Sequence, residues 1–227
     1  MKVYGKNVFN ELKSNKENIK KVYLSSSFHD KDIIDFIKEN KIPYVNVLKP
    51  KFDKMVEGHT QGIILEINDY EYKNIKDLDT TEKKVVILDH LEDPHNFGAI
   101  IRTCEACGVK SIIIPKDRSI SVTPTVIKTS TGAIEYVNIY EVVNLKNAIT
   151  FLKENGYFVY GAEADGKVYD EVDYADKVAL VIGSEGFGLS KGVRDACDEI
   201  ISIPMCGHVN SLNASVSFGV LIYGIKN

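Results

Sequence analysis

The chain has 227 residues, 44% of them hydrophobic, and a formal net charge of −4. This composition supports a packed core and excludes wholesale disorder, and the length suits one ordinary domain plus a small one. Its unbroken apolar runs (Val178–Ile182, Ile112–Ile114, Val85–Leu88) fall far short of the ~18 residues a membrane span needs, and Met1-Lys2-Val3-Tyr4-Gly5 lacks the charged-then-apolar pattern expected of a signal peptide.

The expectation is a cytoplasmic protein without membrane contact. Its four cysteines, Cys104, Cys107, Cys197 and Cys206, are read as free thiols. Charge is unevenly spread. Residues 1–54 carry twelve Lys, seven acids and no Arg, while the remainder is acidic. A basic first unit on an acidic body reads either as an anion-steering module or as a solvated helical surface.

In chain order, Val8–Leu12 reads as helical and Lys21–Leu24 as a strand. Asp30–Glu39 carries an apolar helical stripe of Ile33, Ile34, Phe36 and Ile37. Tyr44–Val47 and Gly62–Ile67 read as further strands. Residues 1–70 thus predict a small α/β domain. Asn68–Lys84 is polar and aperiodic, and residues 71–83 are expected to be a linker.

Residues 84–227 form a cleaner α/β series. Val85–Leu88, Ser111–Ile114, Phe158–Tyr160 and Ala179–Ile182 predict strands. Asn96–Cys107, closed by Gly108, Leu145–Glu154 and Ser211–Ile225 predict helices. Short apolar strands alternating with helices predict a parallel sheet covered on both faces. Ligands of such sheets bind in the loops after the strand carboxyl ends.

Three such loops carry chemistry. In Asp93-Pro94-His95-Asn96-Phe97-Gly98-Ala99-Ile100-Ile101-Arg102, Asn96 is a candidate helix cap. Arg102, one of only three arginines, needs an anionic partner, either a structural one such as Asp93 or a ligand. In Gly183-Ser184-Glu185-Gly186-Phe187-Gly188-Leu189-Ser190 the glycine spacing is not that of a dinucleotide loop. Glu185 repels phosphate and suits a cationic or hydroxyl-rich ligand such as a sulfonium nucleoside; a tight turn with a solvated Glu is the alternative. In Ile203-Pro204-Met205-Cys206-Gly207-His208-Val209-Asn210-Ser211-Leu212-Asn213-Ala214-Ser215, Ser211 is a candidate N-cap. Three polar residues in five positions exceed what capping needs, and ligand contact is expected.

Cys104 and Cys107 lie one helical turn apart and are read as core packing, since no second pair completes a zinc site.

Together, DPHNFGAIIRTCEACGV, IGSEGFGLS and IPMCGHVNSLNASVSFGVLIYG resemble the SpoU/TrmH family of RNA ribose 2′-O-methyltransferases in order and spacing. Lys128-Thr129-Ser130-Thr131-Gly132-Ala133 is similar to a further segment of that family. Tyr4–Val8 and Gly58–Ile63 are similar to its accessory RNA-binding domain of the L30e type. The nearest subgroup methylates a guanosine of 23S rRNA. It often has His-Gln-Gly-Ile where this chain has His59-Thr60-Gln61-Gly62-Ile63.

The resemblance implies a SPOUT-type C-terminal domain with a trefoil knot and a homodimer packed through that domain. It implies S-adenosylmethionine as cofactor, no metal, and RNA, chiefly ribosomal RNA, as partner. It implies catalytic roles for Asn96, Arg102, Glu185, Ser211 and Asn213. Cofactor contacts fall to Thr129, Gly183, Ser184, Glu185, Gly186, Ile203, Met205, Ser211, Leu212 and Ala214. Arg102 is either the proton acceptor or a phosphate clamp. A tRNA ribose methyltransferase and a non-catalytic RNA-binding relative are the competing readings. The wrong glycine spacing weakens a dinucleotide-dependent oxidoreductase.

Overall fold

A computed structural model describes residues 1–225. The first half runs β1 (Lys2–Tyr4), α1 (Lys6–Leu12), β2 (Ile19–Ser25), α2 (Lys31–Glu39), β3 (Tyr44–Val47), α3 (Lys49–Phe52), β4 (Ile63–Ile67), β5 (Lys84–Asp89), α4 (Pro94–Ala106) and β6 (Ser111–Pro115). There follow α5 (Pro124–Ser130), β7 (Asn138–Val142), α6 (Leu145–Glu154), β8 (Phe158–Val168), β9 (Val178–Gly183), α7 (Lys191–Arg194), β10 (Glu199–Ser202) and α8 (Ala214–Gly224). Among the described residues no helix is long and apolar enough to cross a membrane.

Two compact units result. The first comprises Met1–Glu71 and Val122–Gly132. Its mixed sheet has the order β1-β4-β2-β3, antiparallel except for the β2–β3 pair. Helix α2 starts where the Asp30 carboxylate accepts from Ile33 N at 3.3 Å, and it buries Ile33 and Ile37, four residues apart on one face. Phe9 of α1 meets Phe36 edge to face with centroids 5.8 Å apart. Helix α5, which the hydrophobic pattern does not single out, is capped by Thr123, begins at Pro124, and buries Val126 and Ile127. It packs on β1, with Lys128 Nζ 4.8 Å from the centre of the Tyr4 ring.

The second unit is built on a six-stranded parallel sheet of order β10-β8-β9-β5-β6-β7. Strands β5, β6 and β9 are buried along nearly their whole length, as unbroken apolar composition requires of strands covered on both faces. From β5 the sheet grows in both directions, so the chain reverses between β5 and β9. Their carboxyl ends are in register, Asp89 opposite Gly183. That reversal opens the crevice in which such sheets bind ligands. The polar stretch before β5 lies along the other edge. Lys73 N donates to Ile139 O at 2.9 Å, and Leu78 is buried in the core.

Several sequence expectations need correction. Asn96 does not cap α4. Asp93 does, accepting from His95 N at 2.9 Å, with Pro94 at the first helical position, and Asn96 is buried inside the first turn. Ser211 does not cap the last helix. That helix begins at Ala214 behind Asn213, whose side chain accepts from Ser215 N and Val216 N. A proline at the helix start and a better-placed Asx side chain outcompete a residue two or three positions away. Strand Phe158–Tyr160 extends to Val168. Gly108, with φ +78°, ends α4 as expected.

Candidate active site

The loop after β9 folds back on itself. Ser184 N donates to Gly188 O at 3.2 Å and Gly188 N to Ser184 O at 2.9 Å. This closure needs a residue without a side chain at 183, where a Cβ would stand 2.2 Å from the Gly188 carbonyl carbon. Carboxylates from two strands tie the end of the loop. Leu189 N donates to Glu163 Oε1 at 3.0 Å and Ser190 N to Asp89 Oδ2 at 2.6 Å.

The loop presents Glu185 as a junction. Its Oε1 accepts from the buried Asn96 amide, from Asn213 Nδ2 at 2.9 Å and from Ala214 N at 3.5 Å. Three segments far apart in sequence, the first turn of α4, the loop after β9 and the start of α8, therefore meet at one carboxylate oxygen. Beside it lies a pocket of about 440 Å³, in the ordinary range for small-molecule sites. Of the residues singled out from sequence, Gly183, Ser184, Glu185, Ile203, Met205, Ser211, Leu212 and Ala214 line it. Asn96 and Asn213 reach it through Glu185.

Three residues fall elsewhere. Gly186 lines a neighbouring cavity rather than this pocket. Thr129 lies on α5 in the first unit and is not among the pocket's lining residues. Arg102 is exposed on α4, and none of the ion pairs among the described residues involves it. A structural pair with Asp93 is therefore not made.

Sequence reasoning missed a cluster on the far wall. Arg194 grips Asp165 with both guanidinium nitrogens, at 3.0 and 2.9 Å, and also pairs with Glu163. All three line the pocket. The only available signal was the rarity of arginine. Asp89, fully buried and paired with His90, was likewise passed over.

The donor set fits a cationic nucleoside. Three carboxylates, Glu163, Asp165 and Glu185, face one guanidinium, so the wall is net acidic and favours a positive centre. Gly183, Ile203 and Leu212 are among the residues that line it.

A sequence model of the SpoU rRNA Methylase family matches residues 83–223, and one for the RNA 2′-O ribose methyltransferase substrate-binding domain matches residues 2–73. The chain belongs to the SpoU/TrmH family of RNA ribose 2′-O-methyltransferases. Its N-terminal unit accordingly carries the family's RNA substrate-binding domain. A putative TrmH family tRNA/rRNA methyltransferase of Staphylococcus haemolyticus is 42% identical over 98% of this chain and 94% of its own length. One from Staphylococcus aureus is 45% identical over 86% of this chain and 81% of its own. In fold, the chain is similar to the SpoU methyltransferase AviRb of Streptomyces viridochromogenes, solved with AdoMet (TM-score 0.83, 20% identity, 99% of this chain, 88% of that one). It is also similar to the A. aeolicus TrmH/SpoU tRNA modifying enzyme (TM-score 0.57, 30% identity, 63% of this chain, 73% of that one).

Proposed function

We propose that this enzyme transfers the methyl group of S-adenosylmethionine to a ribose 2′-hydroxyl of ribosomal RNA, with a guanosine of 23S rRNA as the target. The observation that carries the reading is the convergence of Asn96, Asn213 and Ala214 N on Glu185 at the mouth of an acidic, nucleoside-sized pocket. The cofactor brings an activated methyl group. Gly183, Ser184, Glu185, Ile203, Met205, Ser211, Leu212 and Ala214, which line the pocket, hold it in this reading, while Gly186 and Thr129 lie outside that lining.

The protein's task is alignment. Hydroxyl and methyl carbon must be held about 3 Å apart and in line. Glu185, fixed by its donors, sets one side of that geometry. Arg102 is an exposed guanidinium with no ion-pair partner among the described residues, which suits a residue waiting for a phosphate or for developing negative charge on the attacking oxygen. The enzyme acts in the cytoplasm as a homodimer packed through its C-terminal domain. On α8 only Val216 and Tyr223 are large apolar side chains left exposed, while Phe218, Leu221 and Ile222 are buried.

Mapping 2′-O-methyl groups in RNA from cells with and without the protein tests the target. Loss of one 23S guanosine methyl is expected. Loss in tRNA alone would replace ribosomal RNA by transfer RNA as substrate.

A further inference from the structure

The Glu185 loop separates two cavities, and only the first is accounted for by the cofactor. The second, of about 740 Å³, lies on the other side of the loop. Ser184, Glu185 and Gly188 line both. Its remaining wall comes from the segment after β5 and from the turn after β6, within the same compact unit.

The chemistry of this wall is mixed in a specific way. Phe187 at the loop tip is 93% exposed, so its ring face is open to a stacking partner. Arg118 is exposed in a left-handed turn, φ +53°, and no ion pair among the described residues involves it. Against these stand Glu92, exposed, and Glu185, whose Oε1 is occupied by the two asparagine amides. Asp93 is committed to the N-terminus of α4 through His95 N. His90 is paired with Asp89.

A bare anion would be repelled by Glu92 and Glu185, and a purely apolar ligand would leave Arg118 unmatched. A nucleotide satisfies all of them: its base stacks on an aromatic face, its base edge carries N–H donors for a carboxylate, and its phosphate takes a guanidinium.

We propose that this second cavity seats the target nucleotide, with the base stacked on Phe187, a flanking phosphate on Arg118 and the ribose turned towards Glu185. This rests on the methyl-transfer reading above. The shared loop then does two things: one face bounds the cofactor and the other bounds the hydroxyl that attacks it. Phe187 and Arg118 are substrate-positioning and specificity residues, and neither lines the cofactor pocket.

The test uses the full chain, RNA from cells lacking the protein, radiolabelled S-adenosylmethionine, and filter binding of the same RNA in the presence of S-adenosylhomocysteine. Phe187→Ala should raise KM for RNA about tenfold, the order one stacked base contributes. It should weaken filter binding in parallel and leave S-adenosylhomocysteine affinity within about twofold of wild type. Phe187→Tyr should restore RNA binding. Arg118→Ala should raise KM for RNA, and Arg118→Lys should recover it only in part. Unchanged RNA KM and affinity in both Phe187→Ala and Arg118→Ala overturn the seat. Absence of methyl transfer by the wild-type protein overturns the functional reading instead, while filter binding still decides whether Phe187 and Arg118 hold RNA.

Discussion

The buried amide of Asn96 donates to the carboxylate of Glu185, 89 residues further along the chain. The bond joins the first turn of α4 to the loop after β9, and both follow neighbouring strands at the point where the sheet reverses. Glu185 is itself exposed. Its position is set by donors behind it, leaving its outer side to a ligand.

Replacing Asn96 by Asp turns a donor into a second carboxylate at the same place. Two carboxylates sharing a site cannot both ionise without cost, so one proton is held to higher pH than usual and lost only as pH rises further. Asn96→Asp should therefore bind S-adenosylhomocysteine poorly at about pH 8 and regain affinity towards about pH 5, as a protonated carboxyl supplies an O–H donor in place of the lost amide N–H. Calorimetry at the two pH values checks this. Equal affinity at both would show that Asn96 does not govern Glu185.

Gly183 and Gly186 lie in one loop and should respond oppositely to alanine. At 183 a Cβ would lie 2.2 to 2.6 Å from backbone atoms of Gly188 and Leu189, which cannot yield without opening the loop. At 186 it would meet nothing within 4 Å. Gly183→Ala should lose S-adenosylhomocysteine binding and melt several degrees lower, whereas Gly186→Ala should melt with the wild type. Melting curves with and without S-adenosylhomocysteine distinguish them. A neutral Gly183→Ala would contradict the closed loop.

Much of this arrangement was legible in sequence because its signals are local. Buried strands such as Val85–Leu88 announce themselves by composition, and Gly108 by its place after an amphipathic run. The Glu185 loop and the polar entrance to α8 declare themselves by residue types that packing does not require. What was not legible is long-range. Asp93 and Asn213 won the capping positions from Asn96 and Ser211 through backbone geometry that several Asx and Ser residues in a row leave undecided. The Arg194–Asp165–Glu163 cluster depends on β8 and α7 being neighbours, which no spacing reveals. The same holds for α5, which joins the first unit from the middle of the chain.

Alkaline conditions should destabilise the fold. Burial pushes the Cys197 thiol up to about 12, and burial followed by neighbouring negative groups pushes the Tyr157 and Tyr174 phenols up to about 12. In the unfolded chain these groups deprotonate near 8.5 and 10. The folded state then holds more protons than the unfolded one, so stability present below about pH 8.5 is lost as pH rises towards 12. Melting temperature should fall steadily above about pH 9, and Cys197→Ala should delay the onset of the fall to about pH 10. A flat profile between pH 8 and 11 would show that these groups are accessible to solvent.

Removing residues 1–70 should do more than remove RNA binding. The surface of β1 on which α5 packs goes with them, and α5 buries Val126 and Ile127. In a fragment beginning at residue 71, trypsin should cut early at Lys128, which the intact protein holds over the Tyr4 ring. Limited proteolysis with mass spectrometry reads this directly. Equal resistance at Lys128 in both proteins would mean that α5 does not depend on the first unit.

Arg102 gives the sharpest test of mechanism. The cofactor pocket is lined by other residues, so Arg102→Ala should abolish methyl transfer while S-adenosylhomocysteine binds with nearly wild-type affinity. Arg102→Lys separates the two roles left open for this side chain. Guanidinium stays protonated at all working pH values and grips a phosphate with a planar fork, whereas lysine is a point charge that can lose its proton. If residue 102 clamps phosphate, the lysine variant should keep part of the activity with a flat profile between about pH 7 and 9. If residue 102 must accept the hydroxyl proton, the rate should climb as pH approaches the amine value near 10.4. The exposure of Arg102 and the absence of any ion pair with it among the described residues favour the clamp, since an open, unpaired guanidinium fork is free to take a phosphate. Full activity in Arg102→Ala would remove it from the mechanism altogether.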